Sequence, residues 1–132
     1  MRNRISLRNQ RGQSVVEFAL VLPALMLILL AIVQFGVVFK QYITLTDAVR
    51  EGARKAAVSR HRPAPSDYVK AEVVKAGSDL GSDFDTGDVT VSSSWDPGED
   101  VTVHAKFEFS IDVLGRVVKS GTMTSTAVER VE

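Results

Sequence analysis

Residues 18–39 read "FALVLPALMLILLAIVQFGVVF". The run carries no charge, and Gln34 is its only strongly polar residue. About 20 apolar residues suffice for a helix to cross a hydrocarbon core of roughly 30 Å. A helix on the surface of a soluble protein would show a polar face within such a window, and none is present. The run therefore predicts a spanning helix. A secretory signal peptide is the rival reading. Its apolar core is usually about 7–15 residues long and is followed by a small-residue cleavage site. This run is longer, and "KQYITLTDAVREG" after it offers no convincing site. An uncleaved anchor, or one trimmed on its N-terminal side, fits better.

The flanks give the direction. Ahead of the run, "MRNRISLRNQR" holds Arg2, Arg4, Arg8 and Arg11 and no acid. Positive flanks stay cytoplasmic. Beyond the run, Lys40, Arg50, Arg54 and Lys55 are spread out and interleaved with Asp47 and Glu51. The expected topology is a cytoplasmic N-terminus and an extracytoplasmic body. Pro23 removes one helical hydrogen bond. Neighbouring helices can compensate for that in a membrane, so it reads equally as a tolerated kink or as a packing feature.

The formal net charge of the 132-residue chain is zero, which argues against a general nucleic-acid binder. There is no cysteine, so disulfides, thiolate-bound zinc and thiol catalysis are excluded.

After Lys40 the helical pattern continues. Leu45, Ala48, Val49, Gly52, Ala56 and Ala57 recur at helical spacing, with charged residues opposite. Ala48, Gly52 and Ala56, four apart, form a stripe of small residues suited to close approach of another element. The expected helix runs from Ser14 to about Ser59, and "HRPAPSD" ends it. A second helix follows in "YVKAEVVKAG", capped by Ser66 or Asp67, with Val69, Val73 and Ala76 on one face and Gly77 at its end.

Strands come next. In "DVTVSSSW", Val89, Val91, Ser93 and Trp95 alternate with polar residues. In "EDVTVHAKFEFSI", Val101, Val103, Ala105, Phe107, Phe109 and Ile111 share one face. "DPGE" signals the loop between them. A third strand is expected within "KSGTMTSTAVERVE", and "DVLGRVV" before it reads as a turn or a short strand. The fold class is α+β: a long N-terminal transmembrane helix extends into a small domain with a second helix and a three-stranded antiparallel sheet. The expected divisions are residues 1–12 as a basic leader, 13–62 as the membrane helix with its extension, and 63–132 as the small domain. So short a domain buries little core alone, so the outer half of the long helix is expected to supply a layer.

Little in the chain points to catalysis. His61 and His104 are isolated, and no zinc-protease, nucleophile-elbow or phosphate-loop pattern occurs. An enzyme is not expected, nor is any cofactor. Asp79, Asp83, Asp85 and Asp88 are weak candidates for calcium, which takes several oxygen ligands. Their spacing does not match a helix-loop-helix calcium loop, and a solvated turn region is the plainer reading.

"RGQSVVEF", at the mouth of the apolar run, places an acid where lipid makes charge costly. Arg11, Gly12, four residues, Glu17 and Phe18 resemble the processing site of prepilin-type proteins. Together with "REGARKAA" (residues 50–57) and the tail "TSTAVERVE", the chain resembles the TadE-like pseudopilins of the tight-adherence (Flp-type) pilus system. The resemblance implies a pilin-like fold and cleavage between Gly12 and Gln13 by a membrane prepilin peptidase. It also implies an assembly role for Glu17 and Phe18, with the Glu17 carboxylate pairing with the new N-terminal amine of a neighbouring subunit. The implied partners are the membrane, the peptidase, other pilins or pseudopilins and the pilus assembly machinery, with no nucleic acid. The implied place is the cytoplasmic (inner) membrane, as a minor, pilus-associated, single-pass component. The alternative is an unprocessed, membrane-anchored binding module of the same topology. Glu17 lies roughly 7–8 Å along a helix from the cut, near the interface, where charge costs less than the ~2.5–3.5 kcal/mol of a helix centre.

Overall fold

The computed structural model describes residues 8–113 and 115–132. The leader arginines Arg2 and Arg4 lie outside the described residues. The elements in chain order are helix α1 (Arg8–Ala57), helix α2 (Pro65–Ala76), two single 3-10 turns (Ser78–Leu80 and Thr86–Asp88), and strands β1 (Val89–Ser92), β2 (Asp100–Val113) and β3 (Arg116–Arg130). The chain divides into two compact units, with the boundary inside α1 between Gly36 and Val37.

The first unit is helical throughout its described residues. Its apolar side chains are largely exposed: Leu20 is 75% exposed and Phe35 72%. A buried core helix is therefore excluded for this segment. By length and composition it can cross a bilayer, and none of its most apolar window is buried.

The second unit is α+β. Its sheet has the order β1-β2-β3 with both pairs antiparallel. Against the sheet lies the small-residue stripe of α1. Leu45, Ala48, Val49, Ala53 and Ala56 supply five of the sixteen residues of the core cluster found among the described residues. The stripe was legible as a core contact, and Gly52 shows why it must be small. A Cβ added there would collide with Cγ2 of Val73 in α2 and would touch Cγ1 of Val103 in β2 at 3.7 Å. Ala53, equally buried, completes the stripe.

The helix boundaries differ from expectation in an informative way. Helix α1 begins at Arg8 and ends at Ala57, and Ser59 then hydrogen-bonds back to the Lys55 carbonyl. Helix α2 is not capped by Ser66 or Asp67. Ala64 takes the cap position in a left-handed conformation, and Pro65 stands at the first helical position, where a missing N–H costs nothing. Val69 and Val73 are buried as expected, but Ala76 is exposed. Gly77 closes the helix, donating its N–H to the Val73 carbonyl at 2.9 Å.

Strand β1 is shorter than its alternating pattern suggests. The alternation in "DVTVSSSW" runs to Trp95, yet the ladder stops at Ser92. Ser93 Oγ accepts from the Trp95 N–H at 3.0 Å, and Ser94 Oγ accepts from the Asp96 N–H at 3.4 Å. Serine hydroxyls offer the backbone a local alternative to the ladder, and here they turn the chain out of the sheet. Strand β3 is longer than expected and starts at Arg116. Gly115, at φ +78°, makes the tight turn from β2. On β2 the buried face is the expected one, but burial fades along it: Val101 to Phe107 are buried, while Phe109 and Ile111 are only half-buried. The reason is that β1 pairs only Thr102–Ala105 of β2. The C-terminus is fastened in place. Val131 accepts from the Gly98 N–H and donates to the Glu99 carbonyl, both at 2.8 Å, and the Glu132 N–H reaches the Ala57 carbonyl at 2.9 Å.

Candidate functional site

The stretch Gly12–Phe18 lies within the first turns of α1, so its residues stand at helical positions. Gly12, Gln13, Glu17 and Phe18 are all exposed. Gln13 and Glu17 are one turn apart and meet: Gln13 Nε2 donates to Glu17 Oε1 at 3.0 Å. This contact follows from the i,i+4 spacing once the helix is known to extend back through Gly12. A helix started at Ser14 would have missed it. A Cβ at Gly12 would meet nothing within 4 Å, so nothing in the fold itself calls for glycine there. Phe18, 61% exposed, presents its ring outward.

The helix start is electrostatically unusual. Its first turn contains no acid, although anionic side chains near a helix N-terminus are favoured by roughly 0.3–1 kcal/mol. Arg8 and Arg11 stand there instead. Glu17 is the first acid of the chain.

Of the aspartates singled out as weak calcium candidates, Asp79 stands apart and faces Lys40 at 3.6 Å. Asp85 caps the second 3-10 turn, its Oδ1 accepting from the Gly87 N–H at 2.6 Å, while its own N–H donates to Asp88 Oδ2 at 3.3 Å. Asp88 also faces Lys106 at 3.9 Å. Asp83, Asp85 and Asp88 line one open concavity with Glu108. Among the described residues no group of three or more His, Asp or Glu side chains is placed to hold a metal ion. Of the two histidines, His104 lies on the outward face of β2 with Nδ1 2.9 Å from Thr126 Oγ1, and His61 is exposed beyond the end of α1.

The stretch from the candidate cleavage residue through the apolar run to the small-residue stripe is also what links the chain to known proteins. Residues 12–54 match the family model described as TadE-like protein. This part of the chain is similar to TadE-like proteins. The match covers 43 of the 132 residues and takes in Gly12, Gln13, Glu17 and Phe18, but not α2 or the sheet. Comparison with curated proteins and with solved structures gave no match. The matched segment includes the apolar run, which by length and composition can cross a membrane.

Proposed function

We propose that this chain is a minor pseudopilin of TadE type, a single-pass component of the cytoplasmic membrane that helps to assemble tight-adherence pili. In this reading a prepilin peptidase cuts between Gly12 and Gln13 on the cytoplasmic face, and the folded unit beginning at Val37 lies outside. The observation that carries it is the placement of Glu17 one helical turn from Gln13, with its carboxylate already turned toward that residue. After the cut, Gln13 bears the new amine. A charged amine and a carboxylate at the start of an apolar helix each lower the other's cost of approaching lipid. Between neighbouring subunits the same pairing would set their axial alignment, and Phe18 would lie beside it.

The test uses two variants. Because a Cβ at Gly12 meets nothing, Gly12→Ala leaves the helix intact, so any loss of maturation reflects the peptidase. The expected result is accumulation of the full-length form on a gel. Normal maturation of that variant would refute the assigned cut. Glu17→Ala is expected to insert and mature but to reduce piliation.

One observation favours the alternative of an unprocessed anchored module. The Gly12–Gln13 bond lies within α1 rather than in an extended segment, so the helix must unwind locally before the bond can be cut. Glycine eases that step, since Gly in a helix interior costs roughly 1 kcal/mol relative to Ala.

A further inference from the structure

Cleavage between Gly12 and Gln13 would do more than free an amine. It would place a glutamine first in the chain, and a leading glutamine carries its own electrophile. In the intact chain the nitrogen of Gln13 belongs to a peptide bond, whose resonance ties up its lone pair. After the cut it is an amine, of which roughly a tenth is unprotonated at neutral pH. That lone pair can attack Cδ of the same residue's carboxamide. The Nα–Cδ bond forms and the Cδ–Nε2 bond breaks. Nε2 leaves as ammonia, taking one proton from the amine. The product is a lactam, pyroglutamate, and the step needs no oxidant, reductant or second reactant.

Ring closure would end the pairing drawn above. The lactam nitrogen is uncharged, so a closed chain has lost the terminal cation that meets a neighbour's Glu17.

The position of the carboxamide controls the closure. Attack requires Nα and Cδ to be about 3–3.5 Å apart and aligned. The ring also holds the first side-chain torsion near an eclipsed value, outside the staggered wells in which side chains rest. In the structure the carboxamide is turned the other way. Nε2 of Gln13 donates to Glu17 Oε1 at 3.0 Å, four residues on. That reach runs toward the next turn of α1 and away from the atom that would attack. Gln13 and Glu17 are both exposed, so the hydrogen bond, and not packing, directs the carboxamide. Both residues lie in the part of the chain that the cut leaves.

We propose that Gln13 is a self-modification site, a leading glutamine able to close to pyroglutamate, and that Glu17 is the positioning residue that holds it open. The proposal rests on the cut after Gly12. Glu17 then guards the amine of its own chain before it meets the amine of another. A chain that closes first leaves assembly irreversibly.

The test follows intact mass with time. The mature chain is purified in detergent from cells that make the peptidase and is held at neutral pH. Wild type is expected to start at the mass of residues 13–132 and to lose one ammonia slowly. One net hydrogen bond restrains closure by about two- to ten-fold, so Glu17→Ala should lose ammonia faster by that factor. Alanine is the best helix former, so the change does not act by fraying the helix. Glu17→Gln keeps an accepting oxygen at the same reach and should close at the wild-type rate, although its charge is gone. Gln13→Ala together with Glu17→Ala should keep its mass, since the carboxamide that leaves is absent. If a Glu17 variant is not processed, a site-specific protease site that replaces the leader and ends at residue 12 releases every chain for the same comparison. Equal rates in wild type and Glu17→Ala overturn this site alone, as does a wild-type chain already closed when first recovered. A full-length wild-type mass overturns the cut, and this site with it.

Discussion

At the scale of single residues, Glu17 and Gly52 each stand where an ordinary sequence would place something else. Glu17 puts a carboxylate at the mouth of an apolar helix, and its side chain already reaches back to Gln13. If the cut after Gly12 occurs, it also removes Arg8 and Arg11 from the helix start, where positive charge is disfavoured. Glu17 then comes within the first two turns. Glu17→Gln keeps the shape and a hydrogen-bonding oxygen but loses the charge. It is expected to leave membrane insertion unchanged and to lower piliation, as counted by electron microscopy, about as much as Glu17→Ala; wild-type piliation in Glu17→Gln would mean that charge is not what matters. Gly52 is small for a different reason, the close approach of Val73 and Val103. Gly52→Leu forces overpacking, which typically costs about 1–3 kcal/mol. The expected outcome is a lower thermal midpoint of the purified chain in detergent, while a midpoint equal to wild type would contradict the packing described.

At the scale of elements, burial follows pairing. Strand β2 alternates cleanly from end to end in sequence, yet only the part near β1 and α1 is covered. Phe107, 6% exposed and edge-on to Phe84 with ring centroids 6.2 Å apart, belongs to the core. Phe109, on the same face two residues on, is half-buried. Phe107→Ala is expected to cost about 3–5 kcal/mol and Phe109→Ala distinctly less, read from denaturant unfolding of the detergent-solubilised chain. Equal losses would mean that the distal ribbon is covered after all. The alternation named the inward face correctly, because period two depends only on the pleat. It could not show where cover ends, because that depends on the length of β1. The length of β1 is set in turn by Ser93 and Ser94 capturing the backbone. The cap of α2 departs from the sequence pattern for a similar reason. Ser66 and Asp67 have the right chemistry, but Pro65 fixes the entry one step earlier. The Gln13–Glu17 contact depends on a helix that starts at Arg8, six residues before the Ser14 start that the sequence suggests.

At the scale of the whole chain, the apolar run and the small-residue stripe were legible because each is a long periodic signal. The stripe makes α1 part of the second unit's core, so that unit does not end where its sheet does. The last two residues belong to it equally: Val131 is 2% exposed and joins the 96–99 turn, and Glu132 joins Ala57. Ending the chain at Arg130 removes three backbone hydrogen bonds and one buried valine. It is expected to lower the thermal midpoint by several degrees; an unchanged midpoint would show that the C-terminus is not part of the fold. The TadE-like match stops at residue 54, so the sheet and its hairpin tip are read from this chain's own physics.

The central claim is that the chain is cut between Gly12 and Gln13, and it is tested most directly by the intact mass of the protein recovered from membranes of cells that make the whole pilus system. The expected mass is that of residues 13–132, and it should revert to the full-length value when the peptidase is removed. A full-length mass with the peptidase present, or a mass that places the N-terminus beyond Phe39, would contradict it.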